Sequence, residues 1–203
     1  MAEETQDTEL KIKNAARKIF LEQGYEGAKI RQIADEAGVN LAMVNYYFRS
    51  KDLLFKSIYM DTFREFLGRM MLMLNEETPL EVKIWKIVDR YTDFIIQNPL
   101  LPMFVLSELR KDGLDFFKEL NVKGIIENSL FRKQLLAEAE KGHIRTVDPL
   151  QVIITILSSI VFPVIAKPIV SYVGTLDETG FEQFVETRKQ LIPEMIMAYL
   201  RQV

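Results

Sequence analysis

The stretch IADEAGVN, residues 33–40, followed by VNYYF at residues 44–48, decides the fold of the N-terminal part of the chain. A helix-turn-helix needs a small residue where its two helices touch, a glycine in the turn and an apolar residue that anchors the turn. Ala34, Gly38 and Val39 supply these three features in that order. We therefore predict a helix-turn-helix here, although an ordinary short helical hairpin also contains Ala, Gly and Val.

Helical periodicity continues on both sides of this stretch. The apolar stripe of a preceding helix consists of Ile12, Ala15, Ala16, Ile19 and Phe20. A long helix is predicted to follow from Lys51 to about Leu74. Three short helices in about fifty residues bury too little surface to be stable alone. We therefore expect Leu53, Leu54 and Ile58 of the long helix to complete their core, so that this helix joins the two parts of the chain mechanically.

The same period runs through the rest of the sequence, and strand-like alternation is nearly absent. We predict an all-α protein of about nine helices. An N-terminal three-helix helix-turn-helix domain at residues 6–66 is joined by the long helix to a C-terminal helical domain at residues 67–203, for ligand binding and dimerisation. The predicted C-terminal helices include one from about Asp115 to Lys141, either continuous or interrupted at Gly124, and an apolar one that begins at Asp148-Pro149.

Composition excludes several classes of protein. The chain of 203 residues is 48% hydrophobic and 27% charged, as is typical of a globular protein. It has no cysteine, one histidine, no glycine-rich phosphate loop and no carboxylates at metal-ligand spacing, so we expect no enzyme, no cofactor and no metal. The acidic N-terminus lacks an apolar leader, which favours the cytoplasm.

One apolar segment has nearly the length of a membrane-spanning helix. Eighteen uncharged residues separate Asp148 from Lys167, and they include Pro163 and several polar side chains. A helix that is apolar on every side is also typical of a protein core or a subunit interface. We therefore expect no membrane partner.

Charge is unevenly distributed along the chain. The net charge of −3 argues against nucleic-acid binding, but residues 10–60 hold nine basic and five acidic residues, a net charge of +4. Residues 61–203 have a net charge of −3, and the first nine residues contribute −4. A basic module on an acidic body is the pattern that phosphate contact by one part of the chain requires.

The segment GYEGAKIRQIADEAGVNLAMVNYYFRSKDLLF, residues 24–55, resembles the signature of the TetR family of bacterial transcriptional regulators. The resemblance covers residues 10–60, and the remaining residues agree only in the number and placement of helices. It implies a homodimer whose N-terminal domains each occupy one half of a palindromic double-stranded DNA operator. It also implies a small-molecule effector that binds the C-terminal domain and usually releases the DNA, and repression is the commoner mode.

The resemblance assigns the recognition helix to Asn40–Tyr47. Asn45 is suited to a bidentate pair with adenine, and Leu41 or Met43 to a thymine methyl group. The start of the preceding helix is a place where proteins contact phosphate, although Ala28 replaces a threonine that commonly binds phosphate in the family. The predicted DNA-binding residues are Lys29, Arg31, Asn40, Leu41, Met43, Asn45, Tyr46, Tyr47 and Lys51.

The C-terminal part is rich in Phe and Met, which suit an adaptable apolar pocket, although each such residue alone is more typical of core. We expect a small apolar or amphipathic effector. The predicted pocket residues are Phe63, Phe66, Met70, Tyr91, Phe94, Phe104, Phe117 and Phe131.

The apolar helix after Asp148 has more apolar surface than one side of a monomer needs. Two copies packed into a four-helix interface explain this surface. The predicted interface residues are Ile153, Ile156, Leu157, Ile160 and Val161.

Two alternatives stay open beside a DNA-binding regulator: an enzyme, and a helical dimer that binds a hydrophobic ligand without binding DNA.

Overall fold

Every segment of regular structure is a helix in the part of the chain that the structure describes. The computed structural model describes the backbone of residues 2–111 and 114–201, and their side chains except those of residues 2–6, 111 and 116. No strand occurs among these residues, which confirms the all-α prediction. The helices are α1 (Ala2–Gly27), α2 (Ile30–Ala37), α3 (Leu41–Phe48), α4 (Lys51–Asn75), α5 (Leu80–Gln97), α6 (Leu101–Lys111), α7 (Asp115–Glu119), α8 (Val122–Glu127), α9 (Leu130–Glu140), α10 (Pro149–Ile165), α11 (Lys167–Gly174) and α12 (Glu178–Arg201).

The chain divides into two units, the first ending at Arg64 and the second beginning at Glu65. The first unit contains α1, α2, α3 and the N-terminal part of α4. The second contains the rest of α4 and all later helices. The division therefore falls within one continuous helix, two residues before the limit predicted from the sequence.

The core of the first unit is built from apolar stripes at helical spacing. Helix α1 packs on α2, and α2 packs on α3. Helix α4 contributes Leu54 and Ile58, which are 0% and 2% exposed. Leu53 is 50% exposed, so its predicted place in this core is wrong. Leu54 and Ile58 are four residues apart and therefore share a face of α4, whereas Leu53 is turned away from Leu54 by about 100° around the helix axis.

Helix α5 is the central helix of the second unit. It packs against α9, α10 and α12. Its buried stripe includes Ile84, Ile87, Val88, Tyr91 and Ile95. These residues follow the helical period over the length of α5, so the helix is held on one long apolar face.

The second unit contains more helices than the sequence predicts, which raises the described total from about nine to twelve. The helix predicted over Asp115–Lys141 is three short helices. Asn121 adopts a left-handed backbone with φ 49°, and this ends the first of them. The Ser129 side chain accepts a hydrogen bond from the Arg132 amide, 3.2 Å away, and begins α9. Pro168 lies in the first turn of α11, where a proline without an N–H is tolerated.

No single described helix is long and apolar enough to cross a membrane. Helices α10 and α11 reach the necessary length and hydropathy only together, and they are bent relative to each other by 76°. Residues on one face of α10 are buried within the second unit, as expected for a core helix.

We predict that Leu54→Ala lowers the free energy of unfolding by about 2–5 kcal/mol, because it leaves a cavity in the core of the first unit. Leu53→Ala is a matched control one residue away on the exposed face, and we expect a change within about 0.5 kcal/mol. Urea denaturation followed by circular dichroism measures both values. Equal losses from the two variants would contradict the assignment of α4 to this core.

Candidate functional site

The turn between α2 and α3 is fixed by a glycine in the left-handed region. Gly38 has φ 67° and ψ 29°. Its N–H donates to the Asp35 carbonyl at 3.1 Å, and the Val39 N–H donates to the Ala34 carbonyl at 3.0 Å. These two hydrogen bonds close the end of α2 in the manner of a Schellman motif. Ala34, Gly38 and Val39, which predict the helix-turn-helix from the sequence, therefore take part in the hydrogen bonds that end α2.

Asn40 begins the second helix of the motif. Its Oδ1 accepts a hydrogen bond from the Met43 N–H at 2.8 Å, which satisfies one of the free amides at the start of α3. The Asn40 oxygen therefore serves as a helix cap, and the contact of Asn40 with DNA stays a prediction.

Helix α3 has a buried face and an exposed face. Val44 and Phe48 are 1% and 7% exposed and hold the helix against the rest of the first unit. Leu41 and Asn45 are exposed, and Tyr46 is 79% exposed. These three belong to the set predicted to face DNA, and the structure brings them together on the outer face of one helix.

Two predicted DNA-facing residues lie at the edge of α3. Met43 and Tyr47 are half-buried. The Tyr47 ring contacts the Tyr46 ring edge to face, with centroids 5.3 Å apart, and lies 6.3 Å from the Phe48 ring. Tyr47 therefore supports the orientation of Tyr46 and has only part of its surface available for a partner.

Lys29 and Arg31 lie at the start of α2, and both are exposed. The Lys29 N–H donates to Gln32 Oε1 at 3.2 Å, which orders the first turn of this helix. Ala28 is 2% exposed and belongs to the core, so it supplies no polar side chain at this end. The basic side chains of Lys29 and Arg31 and the amides at the start of α2 are the groups there that suit phosphate.

Ion pairs separate the basic residues of the first unit into two groups. Lys11, Lys13 and Lys18 each lie within 3.1 Å of a carboxylate oxygen. Among the residues that the structure describes, no carboxylate pairs with the side chains that flank the exposed face of α3. These side chains are Lys29, Arg31 and Arg49.

Arg49 belongs to these basic side chains around α3, although it was not among the DNA-binding residues predicted from the sequence. It is exposed at the C-terminal end of α3, where its backbone has φ 59°. Its N–H donates to the Asn45 carbonyl at 2.9 Å. A non-glycine residue with positive φ is uncommon, and the sequence does not indicate one here. The only sequence signal for Arg49 as a candidate site residue is that it is a basic residue directly after YYF.

Lys51 is the one predicted DNA contact whose charged end is directed into the protein. Its Nζ donates to the Tyr25 carbonyl at 2.9 Å and to the Ala28 carbonyl at 3.1 Å. The same nitrogen lies 4.5 Å from the centroid of the Tyr25 ring. The Tyr25 hydroxyl in turn donates to Asp52 Oδ1 at 2.7 Å. Burial raises the pKa of the Tyr25 hydroxyl to about 12, and the hydrogen bond to Asp52 adds to this shift.

A cleft of about 560 Å³ lies between α4 and α5 in the second unit. Its aromatic part is formed by Phe66, whose ring centroid lies 4.9 Å from those of both Tyr91 and Phe94. The lining residues are Phe66, Arg69, Leu72, Met73, Glu76, Arg90, Tyr91, Asp93, Phe94 and Gln97. Phe66, Tyr91 and Phe94 were predicted as pocket residues from the sequence.

The other predicted pocket residues lie elsewhere. Phe104 and Phe131 are 1% and 0% exposed and belong to the core of the second unit. Met70 is 9% exposed and does not line the cleft, and Phe117 is half-buried outside it. Phe63 belongs to the first unit. An apolar residue type alone therefore does not distinguish core from cleft.

Charged groups of the cleft differ in whether they have partners. Glu76 pairs with Lys86, and Arg69 pairs with Glu65. Asp93 lies 2.6 Å from the Lys189 ammonium. No described carboxylate lies within ion-pair distance of Arg90. The hydrogen bond from Lys86, together with the charge of Arg90, holds the pKa of Glu76 below its usual range, so Arg90 already acts on one carboxylate of the cleft. Its N–H groups form no ion pair with a described carboxylate and can bind a second anion.

The apolar helix α10 uses two of its faces differently. Ile153, Ile156 and Ile160 are 8%, 2% and 4% exposed, because they pack into the core of their own unit. They have almost no surface for a partner, so the predicted interface needs correction at these three positions. Leu157 and Val161 are half-buried and lie on a different face.

Helix α12 packs beside α10, and both helices have exposed apolar residues. Leu150 and Ile154 are 52% and 51% exposed at the same helical spacing as Leu157. Helix α12 exposes a second row at Leu191, Met195 and Tyr199, which are 41%, 60% and 53% exposed. An exposed apolar surface on two adjacent helices is typical of a subunit interface.

The described residues contain no group of three or more His, Asp or Glu side chains placed to hold a metal ion. The exposed face of α3, the cleft, and the exposed apolar rows of α10 and α12 are the candidate sites among the described residues.

Known proteins resemble this chain in sequence and in fold. Residues 12–58 match the sequence profile described as bacterial regulatory proteins, tetR family. The HTH-type transcriptional repressor AcnR of Corynebacterium glutamicum is 26% identical over 151 residues, which are 73% of this chain and 75% of AcnR. The HTH-type transcriptional repressor NicS of Pseudomonas putida is 30% identical over 125 residues, 61% of this chain and 57% of NicS. The solved structure of HlyIIR, a hemolysin II transcriptional regulator, aligns with a TM-score of 0.62 and 26% identity, over 98% of this chain and 99% of that chain.

We predict that Gly38→Ala lowers the free energy of unfolding by about 1–2 kcal/mol, because a Cβ at this positive φ strains the backbone. An added Cβ meets no atom within 4 Å at Gly38, so the cost comes from the backbone alone. Gly68, inside α4, is equally open, and there alanine favours the helix. We expect Gly68→Ala to raise stability by about 0.5–1 kcal/mol. Thermal and urea denaturation measure both, and a stabilising Gly38→Ala would contradict the left-handed turn.

Proposed function

Because the chain belongs to the TetR family of bacterial regulatory proteins, it is a DNA-binding transcriptional regulator, and we propose that it acts as a dimeric repressor in the cytoplasm. In this proposal each first unit inserts α3 into the major groove of one half of a palindromic operator. A small amphipathic effector binds the second unit and releases the DNA.

The observation that carries the DNA-binding part is the outer face of α3 together with the basic groups around it. Leu41, Asn45 and Tyr46 are exposed on the helix that follows the turn, as in a recognition helix. Lys29 and Arg31 lie at the start of α2 without an ion pair among the described residues. Phosphate contacts by such groups position a protein on DNA, and contacts to base edges give sequence preference.

The proposed base contacts follow from side-chain chemistry. The Asn45 amide has one donor group and one acceptor, which match N7 and N6 of adenine in the major groove. Leu41 presents an aliphatic surface that suits the methyl group of thymine. Tyr46 and Arg49 lie toward the end of α3, where we expect contacts to the phosphates that border the groove.

The proposed dimer uses the exposed apolar rows of α10 and α12. Two copies of this pair form a four-helix interface, which covers the exposed rows that begin at Leu150 and Leu191. A two-fold symmetric dimer explains why a palindromic site is expected, because the symmetry of the protein is matched by that of the DNA.

The proposed effector site is the cleft between α4 and α5. Its aromatic rings, Phe66, Tyr91 and Phe94, suit an apolar chain or ring, and Arg90 at the same cleft suits an anionic group. Burial raises the pKa of Tyr91 far above the usual range, so its hydroxyl stays neutral. A ligand with an apolar body and an anionic end matches these groups best.

Helix α4 provides the proposed connection between effector and DNA binding. It is continuous from Lys51 to Asn75. Its N-terminal part carries Leu54 in the core of the first unit, and its C-terminal part carries Phe66 and Met73 in the lining of the cleft. A ligand that displaces the C-terminal part of α4 therefore acts on the helix that completes the DNA-binding unit.

Selection of an operator from a random duplex library, followed by gel shift, tests the DNA-binding part. We expect a palindromic site that binds two chains. We predict that Asn45→Ala weakens binding to the selected operator by about 5- to 150-fold, the equivalent of about 1–3 kcal/mol for a lost bidentate base contact. Asn14→Ala, at an exposed position of α1, is the matched control and leaves affinity unchanged.

Equal effects of the two asparagine variants would contradict the proposed recognition face. If no duplex is selected while the protein still forms dimers and binds hydrophobic ligands, the chain is a helical ligand-binding dimer without DNA binding, and the proposal is wrong.

Amphipathic probes with the same twelve-carbon chain test the effector site. We predict that dodecanoate binds about fivefold more tightly than dodecanol, since an exposed charge pair with Arg90 contributes up to about 1 kcal/mol. Isothermal titration below the micellar concentration measures both affinities, and gel shift measures release of the operator.

Arg90→Gln should remove the preference for dodecanoate and leave dodecanol binding unchanged. Arg110→Gln, at an exposed position of α6, is the control and should leave both affinities unchanged. Tighter binding of dodecyltrimethylammonium than of dodecanoate by the unaltered protein would show that the proposed anion preference is wrong.

A further inference from the structure

The geometry around Lys51 points to a different role from the phosphate contact that its place in the family pattern implies. We infer that Lys51 is a positioning residue, which holds the start of α2 in place for DNA binding through the backbone at Tyr25 and Ala28. The inference rests on the proposed DNA binding and changes the part that one residue plays in it.

The ammonium group of Lys51 is largely occupied. Of its three N–H donors, two are directed at the carbonyl oxygens of Tyr25 and Ala28, at 2.9 and 3.1 Å. The Tyr25 ring lies 4.5 Å from the same nitrogen and attracts its charge. The side chain is half-buried, whereas Lys29 is exposed and forms no ion pair with a described residue.

The two carbonyls that Lys51 binds lie where α1 ends and α2 begins. Gly24, with φ 69° and ψ 173°, interrupts α1 ahead of Tyr25, and Ala28 lies between α1 and α2. Carbonyls beyond the end of a regular helix lack its amide partners, and a lysine side chain is a favourable substitute. Ala28 directly precedes Lys29 and Ile30, the first residue of α2. The bond to the Ala28 carbonyl therefore fixes the direction in which α2 starts.

Asp52 holds the same tyrosine from its other end. The Tyr25 ring packs against Phe20 and Phe55, with centroids 6.0 and 4.9 Å away, and its hydroxyl donates to Asp52 at 2.7 Å. The first two residues of α4 thus contact the backbone, the ring and the hydroxyl of Tyr25. We call Tyr25, Ala28, Lys51 and Asp52 the α4 clamp.

The clamp predicts a behaviour that separates positioning from phosphate contact. Each phosphate that a side chain neutralises adds about 0.9 to the slope of log affinity against log salt concentration. Removal of a phosphate contact lowers this slope. A start of α2 that is less ordered in the free protein instead adds a cost of ordering on binding, which lowers affinity while the complex still neutralises the same number of phosphates. The salt dependence of operator binding therefore distinguishes the two roles.

We expect Lys51→Met, which keeps the aliphatic stem, to weaken operator binding about tenfold with no change in the salt slope. Lys29→Met is the matched control, and we expect it to lower the slope by about 0.9. Tyr25→Leu removes the ring and hydroxyl of the clamp without altering any basic residue. Tyr25→Leu should weaken operator binding without changing the salt slope. The double variant with Lys51→Met should bind only slightly more weakly than Tyr25→Leu alone, because both substitutions disrupt the same contacts.

Hydrogen exchange of the free protein gives a readout that does not depend on DNA. We expect Lys51→Met and Tyr25→Leu to speed exchange of the amides at residues 28–33, and Lys29→Met to leave them unchanged. Circular dichroism shows whether each variant is folded. If Lys51→Met does not fold, Tyr25→Leu alone tests the clamp.

A slope lowered by about 0.9 in Lys51→Met, with additive losses in the double variant, would overturn the inference. Unchanged exchange at residues 28–33 would overturn it as well. Absence of operator binding by the unaltered protein would contradict the proposed function instead, and the exchange result then decides whether Lys51 positions α2.

Discussion

The size of the first unit is the constraint on which the rest of the structure depends. The first three helices comprise about fifty residues, a size at which a chain buries little apolar surface for independent stability. Helix α4 supplies the missing part through Leu54 and Ile58. Because that helix continues to Asn75, the core of the first unit is completed by the same helix that lines the proposed effector cleft. A requirement of folding thereby gives the protein a physical link on which regulation can act.

Signals that are local in sequence predicted local structure well. Gly38 and Asn40 specify a helix end and a helix start through their own backbone and side chain, so the turn can be identified from a few residues. Which residues of α10 face the core of the second unit could not be predicted in the same way. A helix with apolar residues on all sides has no periodicity that tells core from interface, and Ile153 and Leu157 were therefore placed together although only the first is buried. The left-handed Asn121 likewise divides a segment whose periodicity predicts one helix.

Contacts between distant residues account for most of what the sequence could not show at the candidate site. A count of basic residues gives residues 10–60 a positive net charge but does not tell which side chains are already paired. Lys18 forms an ion pair with Glu36, eighteen residues away, whereas Lys29 forms none with a described residue. Lys51 contacts carbonyls 26 and 23 positions earlier in the chain. These partners depend on how α1, α2 and α4 pack, and no spacing rule contains that information.

The hydrogen bond from Tyr25 to Asp52 also bears on how the protein responds to acidity. With its pKa raised to about 12, the Tyr25 hydroxyl keeps its proton and remains a donor at any pH that a cell maintains. Histidine is the side chain whose ordinary pKa lies in the physiological range, and the one histidine of this sequence, His143, lies in the second unit. The first unit therefore has no histidine that titrates between about pH 6 and 8, and the hydrogen bond from Tyr25 to Asp52 in the α4 clamp keeps its donor over that range.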